Sequence, residues 1–491
     1  MTSSPKAVLF AAAAITAATS SMAQPTSSTA DPVQALSRKI DQMKADYERQ
    51  INELREQQAK LLAQQPVARE TPLPPGAIPA PQTTPVPPAT SASQPEVVRA
   101  GDFPGSIKIP GTNTSFKVGG FARLDVVNDF GGGEFGAIGL TQLTPFNDTP
   151  ASTRKGFYNM NARESRVYVK AQTATDRFGP VTAYVEGDFE GAGGTEAVTN
   201  STAFRLRHAY VDVGPWLAGQ TWSSLLDLPS LPETLDFSGG NGPLQGIRAS
   251  QLRYTARWAD GTQQFALAAE NPEADVFGTV ATTATAGVGP TNTQTLDKAP
   301  DITAKYTLSG TWGRMTLGAL GRHLVFNNTG GAAVGGFTGA SSVNTFAFVS
   351  QGRINTFGND SFQYTVGGGD GIGRYIVGTV NNTGAVLENG KLHGIHQFAY
   401  STSYTHVWAP GWRSNLIWGS IIADLPHPYV TIETPRRISA LYANLIWSPI
   451  PASLVGLEFE RSEVKNDATP TPTASNRGQN SRLQASFSYG F

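Results

Sequence analysis

Arg482-Leu483-Gln484-Ala485-Ser486-Phe487-Ser488-Tyr489-Gly490-Phe491 sets apolar side chains at 483, 485, 487, 489 and 491, with polar residues or glycine between them. A period of two is the signature of a strand with unlike faces. The pattern recurs towards the N-terminus. Phe116 to Val126 puts Lys117, Arg123 and Asp125 on one face. Val167, Val169 and Ala171 oppose Arg166, Tyr168 and Lys170. Val181, Ala183, Val185 and Phe189 oppose Thr182, Tyr184, Glu186, Asp188 and Glu190. Leu252, Tyr254, Ala256 and Trp258 oppose Gln251, Arg253, Thr255 and Arg257.

A soluble sandwich also alternates. Connection length and aromatic placement separate the two cases. Short connections lie near 174–179, 214, 260–261, 309–313, 357–360, 408–412 and 449–453. Long ones lie near 128–161, 191–202, 223–245, 271–300, 325–341, 370–391, 424–435 and 465–479. Trp258, Trp312, Trp408, Trp412, Trp418 and Trp447 gather towards strand ends. Short turns at one end, long loops at the other and aromatic girdles predict an antiparallel transmembrane β-barrel of the outer-membrane type. Sixteen strands are expected, near 114–127, 162–172, 180–190, 203–213, 215–222, 246–258, 262–270, 300–308, 313–324, 342–355, 361–369, 392–407, 412–423, 436–448, 453–464 and 480–491. The fifth is the least regular, so fourteen and eighteen stay open. The uncharged run Ala440–Leu457 has the length of a spanning helix, but Pro449 and Pro451 make it two strands and a turn.

Composition agrees. The 491 residues include 52 Gly, 33 Pro and no Cys, with 15% charged residues and a net charge of −1. Without cysteine there is no disulfide framework, thiolate metal site or cysteine nucleophile. Near-neutrality argues against a nucleic-acid partner. A mean hydropathy of −0.22 argues against a bundle of membrane helices.

The first hundred residues read differently. Residues 1–23 carry Lys6, an apolar core from Ala7 to Ala18 and small residues at Ser21 and Ala23, the pattern of a secretory signal peptide cut before Gln24. Residues 31–64 hold a heptad: Val33, Ile40, Tyr47, Leu54 and Leu61 at a, and Leu36 and Met43 at d, followed there by Gln50 and Gln57. Asp31-Pro32 is a good helix start. Such a seam needs another helix, which predicts a self-associating coiled-coil stalk in the periplasm. Residues 65–100 are proline-rich and form a linker, with polyproline II favoured. Residues 101–491 form the barrel.

No enzyme is expected. No HExxH or GxSxG is present. His393 and His396, three apart at a strand start, face opposite sides, so no metal site is expected. Gly367-Gly368-Gly369-Asp370-Gly371-Ile372-Gly373 lacks a phosphate-loop lysine and reads as a tight extracellular loop. No cofactor is implied.

A pore is the more specific reading. Arg123, Arg166, Lys170, Arg205, Arg207, Arg253, Arg257, Arg322 and Arg353 are the expected lumen cations, because arginine is costly against lipid. As a set they make a ladder attracting anions. The alternative is that they pair with Asp125, Glu164, Glu186, Asp188 and Glu190 and merely solvate the wall. The loop Ser223–Gln245 is long and apolar, with Leu225, Leu226, Leu228, Leu231, Leu235 and Phe237, and carries Asp227, Glu233 and Asp236 without Lys or Arg. A loop this apolar should be buried, and the lumen is the place available. Its acids, opposite the arginine wall, would set a transverse field.

Ile109-Pro-Gly-Thr-Asn-Thr-Ser-Phe-Lys-Val-Gly-Gly120, Gly219-Gln-Thr-Trp-Ser-Ser224, Leu231-Pro-Glu-Thr-Leu-Asp-Phe-Ser-Gly239, Gly369-Asp-Gly-Ile-Gly-Arg-Tyr-Ile376 and Asn444-Leu-Ile-Trp-Ser-Pro449 resemble the DcaP-like porins. The resemblance implies a homotrimeric porin of the Gram-negative outer membrane, embedded in its lipid, with sixteen-stranded barrels, a periplasmic coiled coil and a preference for anionic solutes such as dicarboxylates. It places Trp222, Pro232, Glu233, Asp236 and Phe237 in a constriction loop. It likens the terminal Phe491 to the outer-membrane assembly signal. A structural role also stays open, in which the coiled coil tethers the envelope to peptidoglycan.

Overall fold

The computed structural model describes Arg49 and residues 99–132, 139–237, 239–244, 246–273, 276–277, 295–329, 337–376, 384–424, 435–472 and 475–491. The expected signal peptide, the stalk apart from Arg49 and most of the linker lie outside the described residues.

Sixteen antiparallel strands close into a barrel. They are β1 Thr114–Asp129, β2 in two pieces (Phe157–Asn161 and Arg166–Thr175), β3 Gly179–Gly191, β4 Ala203–Val213, β5 Trp216–Trp222, β6 Arg248–Trp258, β7 Gln263–Glu270 and β8 Asp301–Gly310. Then follow β9 Gly313–Asn327, β10 Ala340–Asn355, β11 Ser361–Asp370, β12 His396–Ala409, β13 Trp412–Asp424, β14 Arg437–Trp447, β15 Ser453–Lys465 and β16 Arg477–Gly490. Each strand pairs with the next, and β1 pairs with β16 from Phe121↔Gly490 to Asp129↔Arg482. Closure leaves no unpaired edge, which an apolar bilayer demands. The fifth strand, irregular in sequence, is present and short.

β2 is broken for a visible reason. Its first piece pairs with Asp125–Asp129 and its second with Thr114–Phe121. Residues 162–165 bulge between them, and Ser165 Oγ accepts from the Arg123 amide at 3.0 Å, standing in for a ladder partner.

Exposure alternates as the sequence period requires. In β10, Phe346 and Phe348 are 67% and 69% exposed, while Ala347 and Val349 are 1% and 6% exposed. Large apolar side chains thus face the lipid side and polar ones the interior. Trp412 and Trp447 stack at 5.3 Å at the short-turn end.

The interior is not empty. Leu225, Leu226 and Leu244, from the segment between β5 and β6, pack with Leu320, Val349, Ala399 and Ile421 of the wall and with Ile372, Tyr375 and Ile376 from the segment after β11. The glycine run is divided. Gly367 to Gly369 complete β11, and only the residues after Asp370 turn away, so the tight-loop expectation holds for part of the run alone. His393 belongs to a small loop sheet (Val276–Phe277, Ala385–Glu388 and Lys391–Gly394) and His396 to β12. Among the described residues no group of His, Asp and Glu could hold a metal ion.

Candidate functional site: the constriction

β5 ends at Trp222, and the chain leaves the wall for the interior. Ser223 Oγ and the Ser224 amide donate to Glu270 Oε1 at 3.1 and 2.6 Å, which anchors the departure point. The Asp227 amide donates to Gln351 at 2.7 Å, and the Asp227 carboxylate meets Arg314 at 2.7 Å. Lys305 Nζ donates to the Leu226 carbonyl at 2.6 Å. The segment then reaches the far wall. Glu233 takes a two-point bond from Arg413, at 2.7 and 2.5 Å. The amides of Leu235 and Asp236 both donate to the Glu458 carboxylate, at 3.0 and 2.9 Å. Asp236 accepts from the Gly139 amide at 2.6 Å and lies 3.4 Å from Arg482. Gly419 of β13 is needed as glycine: a Cβ there would stand 1.8 Å from the Gly240 carbonyl oxygen. The inward fold of this loop is therefore built from both ends and the middle.

The three loop acids do not stand free opposite the arginine wall. Each is matched to a wall arginine outside the predicted set: Arg314, Arg413 or Arg482. They fix the loop, and the transverse field expected of them is largely neutralised at its source.

The other side of the lumen carries a row of guanidiniums and rings. Arg166 lies 5.1 Å from the Phe121 ring centroid and 5.2 Å from that of Phe237. Arg207 lies 5.1 Å from Phe237 and 5.5 Å from Trp222, and Arg248 lies 5.1 Å from Trp222. The order is Phe121, Arg166, Phe237, Arg207, Trp222, Arg248. Interleaved rings let like charges crowd together, since each guanidinium meets the negative face of a π system.

Counter-ions are present but too few. Arg205 pairs with Asp188 at 2.8 Å, while Arg207 pairs with Asp188 and Glu186, each at 2.8 Å. Arg166 is 4.0 Å from Glu186. Around Phe237 and Trp222, Arg166, Arg205 and Arg207 thus share Asp188 and Glu186, and Arg248 adds a fourth guanidinium over Trp222. Arg166 Nε, Arg207 Nη2 and Arg248 Nη1 are enclosed and meet no acceptor among the described residues. Of the nine predicted cations, Arg123, Arg166, Arg205 and Arg207 pair with the acids the alternative named.

The remaining predicted cations divide. Arg123 bonds Asp125 at 2.9 Å, lies 3.3 Å from Glu164 and donates to the Leu235 carbonyl. Lys170 faces inward in register with Lys117, its Nζ 4.7 Å from the Phe103 ring. Arg353 faces inward in register with Arg314. Arg253 and Arg257 share the inner face of β6. Arg322 departs from the expectation. It is 5% exposed, pairs with Asp301 at 3.1 Å and donates to the carbonyls of Gly371 and Pro272. It ties loops together beneath the surface instead of lining an open path. Pro232 lies in the loop's crossing, where its ring approaches Gly240.

Arg248 was not visible in the alternation, which puts it on the outward face with Ser250 and Leu252. As the first residue of β6 its side chain turns back over Trp222. Its place beside a loop already expected to fold inward was the available signal.

The model of the DcaP outer membrane protein family matches residues 101–283. Over this stretch the chain is similar to that family. The matched stretch holds β1 to β7 and the whole constriction loop, and so Arg166, Arg207, Trp222, Phe237 and Arg248; Arg322, Arg353 and Phe491 lie beyond it. The outer membrane channel DcaP of Acinetobacter baumannii has a similar structure, at 19% identity and a TM-score of 0.60, covering 80% of this chain and all of that one. An anion-selective porin from Comamonas acidovorans aligns at 12% identity and a TM-score of 0.49, covering 77% of this chain and all of that one. No curated protein matches the sequence.

Proposed function

We propose that this outer-membrane porin-like channel passes small hydrophilic anions, dicarboxylates among them, by passive diffusion past the Arg166–Phe237–Arg207–Trp222–Arg248 row. The observation that carries the reading is the crowding there: Arg166, Arg205 and Arg207 share two carboxylates, Arg248 adds a fourth guanidinium beside Trp222, and three enclosed N–H groups meet no acceptor among the described residues. Buried Arg207 acts through its field alone, while a solute carboxylate can accept from the partly exposed Arg166 and Arg205 and trade part of its hydration for charge-assisted bonds.

Like-charge neighbours support it. Lys117↔Lys170 and Arg314↔Arg353 each put two cations directly across a strand pair on the inner face. Such pairs oppose folding. A pore that attracts anions gives a reason to keep them.

The assembly proposed is a homotrimer in outer-membrane lipid, its stalk (residues 31–64) in the periplasm, with Phe491 as the assembly signal. Purified protein in a planar bilayer should conduct in steps of three, with anions more permeant than cations. Absence of conductance would refute the channel; cation preference would refute the anion reading alone. Liposome swelling with matched neutral, monoanionic and dianionic solutes then orders the substrates.

A further inference from the structure

On the outer face of β14, β15 and β16 the apolar run stops at one boundary. Leu445, Ala443 and Leu441 give way to Ser439; Leu457 and Phe459 to Arg461; Leu483 to Ser481 and Gln479. Arg461 pairs in register with Leu441 on one side and Ser481 on the other, so its outward direction is fixed by the ladder. It lies towards the long-loop end, four residues before β15 ends at Lys465. A guanidinium there cannot sit in hydrocarbon and marks the level of the outer-leaflet headgroups.

Its protein partners are neutral. Arg461 donates to Ser481 Oγ at 2.8 Å and to the Gln479 side-chain oxygen. Among the described residues no carboxylate pairs with it. It borders a groove of about 780 Å³ whose lining includes Phe130, Asp148, Lys155, Gln479 and Ser481. Lys155, from the segment before β2, adds a second cation, and among the described residues of the lining Asp148 is the one acid. Below the groove, Phe459, Leu483, Tyr158 and Met160 are exposed and apolar.

We propose that this groove binds the phosphate-bearing headgroup of an outer-leaflet glycolipid, with Arg461 and Lys155 on the phosphate and the apolar face beneath on its acyl chains. Among the described residues, two cations against one acid suit a phosphate monoester. A site continuous with the apolar band suits a lipid better than a free ion.

The test uses the full-length protein in detergent with bisphosphorylated lipid A as probe, bound lipid being counted by native mass spectrometry. Binding should weaken at least tenfold in Arg461→Gln combined with Lys155→Ser, and also when the wild type is offered dephosphorylated lipid, while single-channel conductance and ion selectivity stay as in the wild type. Should the double variant fail to fold, Lys155→Ser alone is expected to weaken binding severalfold. Unchanged binding would overturn the proposal. So would displacement of lipid A by an equal concentration of inorganic phosphate, which would assign the groove to a free ion. Disulfide cross-linking of a Ser481→Cys variant between copies would also overturn it, because the face would then be an interface of the assembly.

Discussion

The Phe237 ring lies 5.1 Å from the Arg207 guanidinium, and Arg207 is fully buried. Phe237 comes from the inward loop and Arg207 from β4, so the contact joins the element that narrows the lumen to the wall that charges it. Arg166 takes the same ring at 5.2 Å. One aromatic side chain therefore spaces two guanidiniums that would otherwise repel at short range.

Replacing that spacer should alter selectivity more than folding. Phe237→Ala removes two cation–π contacts worth roughly 0.5–2 kcal/mol each, while the loop keeps its anchors at Glu233, Leu235 and Asp236. We expect a wider conductance step and a lower anion-to-cation permeability ratio. Arg207→Gln should lower the ratio further without comparable widening. Reversal potentials in a salt gradient distinguish the two outcomes. An unchanged ratio in both variants would remove the row from the selectivity mechanism.

The Glu458 carboxylate receives two adjacent loop amides from within the wall, and Asn444 Nδ2 also donates to it, at 2.8 Å. Glu458→Leu leaves those donors enclosed and unsatisfied, at a cost of about 1–3 kcal/mol apiece. The barrel ladder does not depend on them. The loop should detach at this end while the barrel stays folded, giving noisier and larger conductance with an unchanged heat-shifted band on gels. Quiet wild-type traces from this variant would show that the other anchors suffice.

The barrel was legible because its determinants are local. Alternation at Leu483–Phe491 and the short turns follow from strand geometry and lipid exclusion, neither of which needs a distant partner to be known. Leu225, Leu235 and Phe237 betrayed the inward loop because so many apolar residues cannot stay in water. Partner choice was not legible. Nothing near Asp227, Glu233 or Asp236 in sequence points to Arg314, Arg413 or Arg482, each of which approaches through barrel closure. Arg322 was misread for the same reason: strand parity sends it inward, but only the fold shows Asp301 and the Gly371 and Pro272 carbonyls covering it. Arg248 evades a parity rule because a strand's first residue can turn aside.

A short-turn contact should make stability depend on acid. Asp360, just before β11, accepts from His406 Nδ1 at 2.7 Å, from the Val407 amide at 2.8 Å and from Tyr404 at 2.9 Å. The His406 hydrogen bond, followed by the Val407 amide, holds its carboxyl below the ordinary carboxylate range. A lowered folded-state value means that the contribution is complete above the unfolded-chain value, ~4, and is lost as pH falls through the folded one. Thermal unfolding of wild type and Asp360→Asn should therefore differ at pH 7, with the gap narrowing as pH falls below ~4. A constant gap across that range would show that the carboxylate charge is not the source of the effect.

The stalk and the barrel should be separable. In the proposed trimer, barrel-to-barrel packing buries far more surface than a four- to five-heptad coil with Gln50 and Gln57 at d positions, which weaken such a seam. Deleting residues 31–64 is expected to leave trimers on native gels and conductance per trimer unchanged. A monomeric product would place the assembly energy in the coil instead. Solute uptake and envelope integrity measured on the same deletion strain then distinguish channel from tether. Lost integrity with intact uptake would make the coil an anchor, while lost uptake with intact integrity would mean that the stalk shapes the periplasmic exit of the pore.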